Sequence, residues 1–144
     1  VRVSGAPGVN LVASTSGTDS DWVVKLIDVY PDQVPSQPEM GGYQLGVAMD
    51  IFRGRYRTSF ETPEPIAPGV PLAYRFILPT VNHVFQPGHR IRIDITSSNF
   101  PQFDRNLNTG QPLSSAARPR IARPNAPQSL ALEPRNNSTA SARA

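Results

Sequence analysis

The chain has 144 residues, no cysteine, two histidines and a net charge of +3, a length that suits one domain able to bury a core without disulfide or metal staples. With no thiol present, a disulfide framework and a thiolate zinc site are both excluded, and the redox compartment is left open. Residues from Ser114 onward carry five arginines against one glutamate, a balance of +4 within the total of +3, so residues 1–113 stand at −1; this argues against a folded basic surface for nucleic acid.

Sixteen prolines and ten glycines between short apolar runs predict many turns and few long helices, hence an all-β domain. No apolar run approaches the roughly 20 residues that span a bilayer, so no membrane partner is expected. Val1-Arg2-Val3-Ser4-Gly5 already reads as a strand running into a turn, without an initiator methionine. The chain is therefore expected to be a piece of a longer polypeptide.

Val9 to Ser14 continues the β pattern, and Gly17-Thr18-Asp19-Ser20 supplies turn chemistry. Asp21 to Tyr30 reads as a long strand, with Trp22, Val24 and Leu26 on one face and Val23, Ile27 and Val29 on the other beside Asp21 and Lys25. Two apolar faces predict a central strand covered on both sides, ended by Pro31. Pro31 to Gly42 is an expected surface loop. Tyr43 to Phe60 reads as a hairpin or bent strand whose change of phase predicts a bulge near Asp50. Beyond it Arg53, Arg55 and Arg57 form a stripe, either a solvated or salt-bridged strand face or a docking face for an acidic neighbouring surface.

Glu61 to Pro71 holds four prolines and is not a helix. Leu72 to Leu78 is the next strand, with Leu72, Tyr74, Phe76 and Leu78 inward. Val81 to Phe85 leads to a turn at Gln86-Pro87-Gly88, then to a strictly alternating strand from His89 to Ser97. There Ile91, Ile93 and Ile95 are expected to face the core and Arg90, Arg92, Asp94 and Thr96 the solvent. Ser98 to Gly110 is a polar loop. Ser114 to Ala144, rich in Ala, Arg, Ser and Pro, is expected to be largely irregular, with a short last strand at 128–132.

For chemistry, a serine nucleophile needs an elbow such as G-x-S-x-G, which is not in this chain. Ser97, Ser98, His83, His89, Asp94 and Asp104 supply the residue types of a triad without its setting, and strand-end hydroxyls usually satisfy backbone groups. His89 is expected to bond loop backbone, and His83 to be exposed or at an interface. Asp19 with Asp21, and Asp104 with Asn106 and Asn108, have the alternate-oxygen spacing calcium accepts, against a plainer reading as turns. No catalytic, cofactor-binding or metal-binding residue is assigned, and no cofactor is expected.

Four blocks then carry a resemblance: Asp21-Trp22-Val23-Val24-Lys25-Leu26-Ile27-Asp28-Val29-Tyr30-Pro31-Asp32; Arg53-Gly54-Arg55-Tyr56-Arg57; Phe85-Gln86-Pro87-Gly88-His89-Arg90-Ile91-Arg92; and Ser97-Ser98-Asn99-Phe100-Pro101-Gln102-Phe103-Asp104-Arg105-Asn106 with Asn108-Thr109-Gly110. Together they resemble the C-terminal domain of the CocE/NonD hydrolases, and the Gln33 to Tyr43 loop with Gln44-Leu45 looks most like the α-amino-acid ester hydrolase branch.

The resemblance implies a jelly-roll β-sandwich, akin to galactose-binding folds, over residues 1–113. It is expected to be incomplete, because the family's first strands precede Val1. It implies an accessory domain of a serine hydrolase, X-Pro dipeptidyl-peptidase-like or acting on α-amino-acid esters, whose triad lies on an α/β-hydrolase domain elsewhere in the polypeptide. The partners implied are that catalytic domain and further copies in an oligomer; the compartment is left open between bacterial cytoplasm and periplasm. Arg53, Arg55, Arg57, Phe100, Phe103, Asp104 and Arg105 are the expected interface residues. A reading from another class is a stand-alone binding module for carbohydrate or another small ligand, favoured by exposed aromatics at loop tips such as Phe100 and Phe103.

Overall fold

A computed structural model of the chain describes residues 1–111. Seven strands run in order: β1 (Arg2–Gly5), β2 (Gly8–Ala13), β3 (Asp21–Val29), β4 (Gln44–Arg53), β5 (Leu72–Ile77), β6 (Val81–Val84) and β7 (Arg90–Thr96), with 3₁₀ turns at Pro38–Met40 and Gly54–Tyr56. All pairings are antiparallel: β1 with β6, β2 with β5, and β3 between β4 and β7.

The three-stranded sheet forms one layer and the two antiparallel pairs, each joining strands distant in sequence, form the other, as expected of an all-β sandwich. Trp22 from β3 and Phe52 from β4 pack on Leu11 and Ala13 of β2 and Tyr74 of β5. Further along the same face, Val24, Leu26 and Ala48 meet Leu78 and Phe85, with Val3 and Val81 of the β1–β6 pair beside them. Rings reinforce the seam: Phe52 stacks on Phe76 with centroids 5.2 Å apart, and Trp22 tilts against Tyr74 at the same separation. Aromatic pairs of this kind contribute about 0.5–1.5 kcal/mol beyond burial alone.

β3 is central, as its two apolar faces predict. Every residue of it is buried except the half-buried Lys25. Alternation in Leu72, Tyr74, Phe76 and Leu78 also translates into burial, with Tyr74 and Leu78 fully enclosed. The turn before β7 closes through His89 N–H donating to the Gln86 carbonyl at 3.1 Å, and Gly88 takes the positive φ of 83° that such a turn requires at its third residue.

Three expectations fail. The register break lies where Leu26 pairs with Ala48 and Ile27 with Gly46, which leaves Val47 as the extra residue, well short of Asp50. Second, the arginine stripe is not a strand face: β4 ends at Arg53, and Gly54–Tyr56 form a 3₁₀ turn. Only glycine fits at the start of that turn, because a side chain there would meet the Ser20 carbonyl and Ile66 Cδ1, each at 2.8 Å.

Third, only Ile95 of the three isoleucines is shielded, while Ile91 and Ile93 remain 51% and 53% exposed. They do lie on the core side, opposite Asp28 and Leu26. Alternation specifies which face a side chain takes; it does not specify whether a further strand lies beyond. β7 is an edge strand among the described residues, so its core side opens to solvent there. The expected strand at 128–132 and the irregular tail fall outside the described residues.

Candidate functional site

Two buried polar clusters and one loop surface concentrate the chain's chemistry. The first cluster centres on Asp28, near the end of β3 and 1% exposed. His83 Nε2 lies 2.8 Å from one carboxylate oxygen and His89 Nδ1 lies 2.8 Å from the other. Since a carboxylate only accepts, both of these ring nitrogens carry protons, and the acid ties β3 to β6 and to the entrance of β7. Tyr30 packs against the His89 ring and Phe85 against the edge of His83. The expectation for His89 is corrected, since it bonds a side chain rather than loop backbone, and His83 is half-buried rather than exposed.

This arrangement has the acid and imidazole of a hydrolytic triad, and among the described residues no serine hydroxyl bonds to either ring. What it performs is cross-layer clamping. Asp28 went unrecognised because its partners lie 55 and 61 residues away; the available signal was a lone carboxylate inside an apolar run in a chain with two histidines.

The second cluster joins the turn before β3 to the loop after β7. Asp19 is fully buried and receives Arg55 through Nε at 2.8 Å and through Nη2. Asn106 Nδ2 donates to both Asp19 and Asp21, at 2.8 Å each, while its own oxygen accepts from the Asn108 N–H. Two groups suggested for calcium are thus brought together in part, with Asp19, Asp21 and Asn106 converging and Asp104 left exposed. A guanidinium already supplies the positive charge at Asp19, and Asn106 presents a donor rather than an oxygen. Among the described residues no group of three or more His, Cys, Asp or Glu is arranged to hold a metal ion.

Burial pushes the Asp21 carboxyl above its ordinary 3.8, against the pull of the Asn106 hydrogen bond and of Arg53 across the strand pair. The folded state therefore holds this proton more tightly than the unfolded state, and the contribution of Asp21 to stability falls as pH rises from 3.8 through the raised value. Asp21→Asn is expected to flatten that part of the stability profile and to gain on the wild type above it. Urea unfolding at a series of pH values checks this; an unchanged slope would contradict it.

The loop after β7 is held on the outer side of the three-stranded sheet. Lys25 Nζ donates to Asn99 Oδ1 at 2.7 Å, and the Asn99 amide donates onward to Gln102 at 2.8 Å. Among the expected interface residues, Arg55 and Arg57 are spent within the chain. Arg55 holds Asp19, and Arg57 donates to the Glu64 carbonyl at 2.8 Å and the Pro65 carbonyl at 2.9 Å. Arg53 is half-buried opposite Asp21. Phe100 is 58% exposed with the Arg105 guanidinium 4.6 Å from its ring centre; Phe103 is half-buried, and Asp104 and Arg105 are exposed. Of the seven, Arg55 and Arg57 are engaged within the chain, Arg53 is half-buried beside β3, and the other four form a group on the loop.

These features define an all-β sandwich whose internal polar groups serve structure and whose last described loop is fixed as a surface. Residues 1–139 match the family model for the X-Pro dipeptidyl-peptidase C-terminal non-catalytic domain, and the chain belongs to that family, the C-terminal domain of the CocE/NonD hydrolases. It is 37% identical over 110 residues to cocaine esterase of Rhodococcus sp. (strain MB1 Bresler), a match covering 76% of this chain and 18% of that protein. Among solved structures it is similar to an α-amino acid ester hydrolase, with 56% identity, a TM-score of 0.79, and coverage of 85% of this chain and 20% of the other. It is also similar to an aminopeptidase from a marine sediment archaeon, Thaumarchaeota archaeon, with 53% identity, a TM-score of 0.77, and coverage of 82% and 19%. The chain thus spans about a fifth of the length of these relatives.

Proposed function

We propose that this chain is the accessory sandwich of a serine hydrolase that cleaves α-amino-acid esters or related acyl compounds, and that it works by packing on an α/β-hydrolase domain that carries the nucleophile. The observation that carries the reading is the 56% identity to an α-amino acid ester hydrolase across most of the chain. In physical terms, the loop of residues 98–110 is the docking element: the side chains of Asn99 and Asn106 tie it to Lys25 and Asp21 of β3, and Phe100, Asp104 and Arg105 are exposed. An aromatic ring capped by a guanidinium offers area at low entropic cost, which suits an anchor between domains.

Replacing the matching segment of the α-amino acid ester hydrolase with residues 1–111 tests this. The chimera is expected to fold and to retain ester hydrolysis, and Phe100→Asp with Arg105→Glu in it to lower activity or thermal stability while the isolated chain keeps its own stability. A folded chimera without activity would count against the accessory role. An unaffected double variant would remove the loop from the interface.

A further inference from the structure

The chain has two methionines, Met40 and Met49, and their sulfurs stand in different settings. Met49 of β4 lies opposite Lys25 of β3, which lies opposite Asp94 of β7. These side chains share the outer face of the sheet, where a groove of about 620 Å³ also takes in Ile27, Gly46 and Val47. Met49 is half-buried in its wall, and the Asn99 Nδ2 donates to the Met49 Sδ at 3.3 Å. The same Asn99 side chain is held at two further points, accepting from Lys25 Nζ at 2.7 Å and donating to Gln102 at 2.8 Å. Met40, also half-buried, ends the 3₁₀ turn Pro38–Met40. Among the described residues no N–H or O–H donates to its sulfur.

A thioether sulfur carries two lone pairs, on opposite sides of its C–S–C plane. When a peroxide oxidises it, one lone pair attacks a peroxide oxygen, the S–O bond forms as the O–O bond breaks, and the second oxygen leaves as water. Sulfur loses two electrons to the peroxide, and the lone pair used decides which sulfoxide epimer results. At Met49 the Asn99 amide covers one lone pair, and its nitrogen is too close to leave room for an oxygen bonded to the sulfur on that side. Moving the amide away disrupts its bonds to Lys25 and Gln102 as well. The uncovered lone pair is therefore the reactive one. Once oxidised, the sulfur gives up its role as acceptor to the new oxygen, which stands on the other side, and the Asn99 amide loses one of the contacts that fix the loop.

We propose that Met49 is a site of reversible oxidation by peroxides, taken up on a single face of the sulfur, and that its sulfoxide loosens the loop of residues 98–110. The chemistry depends on contacts within this chain; only its consequence for docking rests on the function proposed above.

The test treats the 144-residue chain with dilute hydrogen peroxide and quantifies the sulfoxide at each methionine by peptide mass spectrometry. Epimers are assigned with the two classes of methionine sulfoxide reductase, each of which repairs one epimer. Met49 is expected to give one epimer in about tenfold excess, because the other requires hydrogen bonds to be broken first, whereas Met40 gives near-equal amounts. Asn99→Ala is expected to bring Met49 to near-equal amounts too. Amide hydrogen exchange over residues 98–106 is expected to run about threefold faster in the oxidised chain, and to be insensitive to peroxide in Met49→Leu. Circular dichroism establishes that each variant is folded. Near-equal epimers at Met49 in the wild type, or a Met49 left unoxidised while Met40 is converted, overturns the site. Exchange unchanged by oxidation overturns its coupling to the loop. None of these results depends on an attached catalytic domain, so they are separable from a failure of the accessory role.

Discussion

Arg55→Ala is expected to cost about 3–5 kcal/mol, the usual penalty for removing one partner of a buried ion pair. The penalty reflects what remains: Asp19 has no exposed surface, and one of its oxygens already lacks a hydrogen-bond partner among the described residues. Without the guanidinium, a buried carboxylate keeps Asn106 alone, and the loop after β7 loses the bond from Arg55 to the Gln111 carbonyl as well. Urea unfolding monitored through Trp22 measures the loss. Adding Asp19→Asn to Arg55→Ala is expected to recover part of it, because a neutral amide is far cheaper to bury than an unpaired charge. A single-variant loss under about 1 kcal/mol would mean the pair behaves like an exposed surface bridge.

Asp28→Ala is expected to cost about 2–5 kcal/mol, from a small cavity and two imidazole donors left without an acceptor. Asp28→Asn should lose less than half as much. Its oxygen keeps one ring, and the other ring satisfies the amide N–H₂ by presenting its lone pair after a change of tautomer. The pattern distinguishes a hydrogen-bonded clamp from packing alone, since packing would make the two substitutions differ only by volume. Equal losses for Ala and Asn would contradict the clamp.

Local pattern revealed some of these elements and hid others, for physical reasons. β3 was legible because burial on both faces leaves a continuous apolar run that no solvent-facing strand shows. The side of β7 was legible too, but its exposure was not: alternation reports on the pleat, and whether a neighbouring strand follows is a property of the whole sheet. Arg53, Arg55 and Arg57 mimic a strand face by spacing, but the chain turns at Gly54–Tyr56, where Gly54 lies too close to Ser20 for any side chain, an approach invisible until the chain is folded. The Asp28 clamp and the Asp19–Arg55–Asn106 network escaped for a related cause. Their partners lie 36 to 87 residues apart, so composition signals that a buried acid needs a partner without saying which.

On the proposed reading, the architecture separates duties. The two buried clusters hold the layers and the last described loop, and the chemistry belongs to a catalytic domain against which that loop is seated. The most direct measurement is to incubate the purified chain with an α-amino-acid ester and, in parallel, with a serine-directed fluorophosphonate. The account predicts hydrolysis no faster than in buffer and no labelled serine. Turnover abolished by the reagent, with one serine of this chain carrying the label, would contradict it.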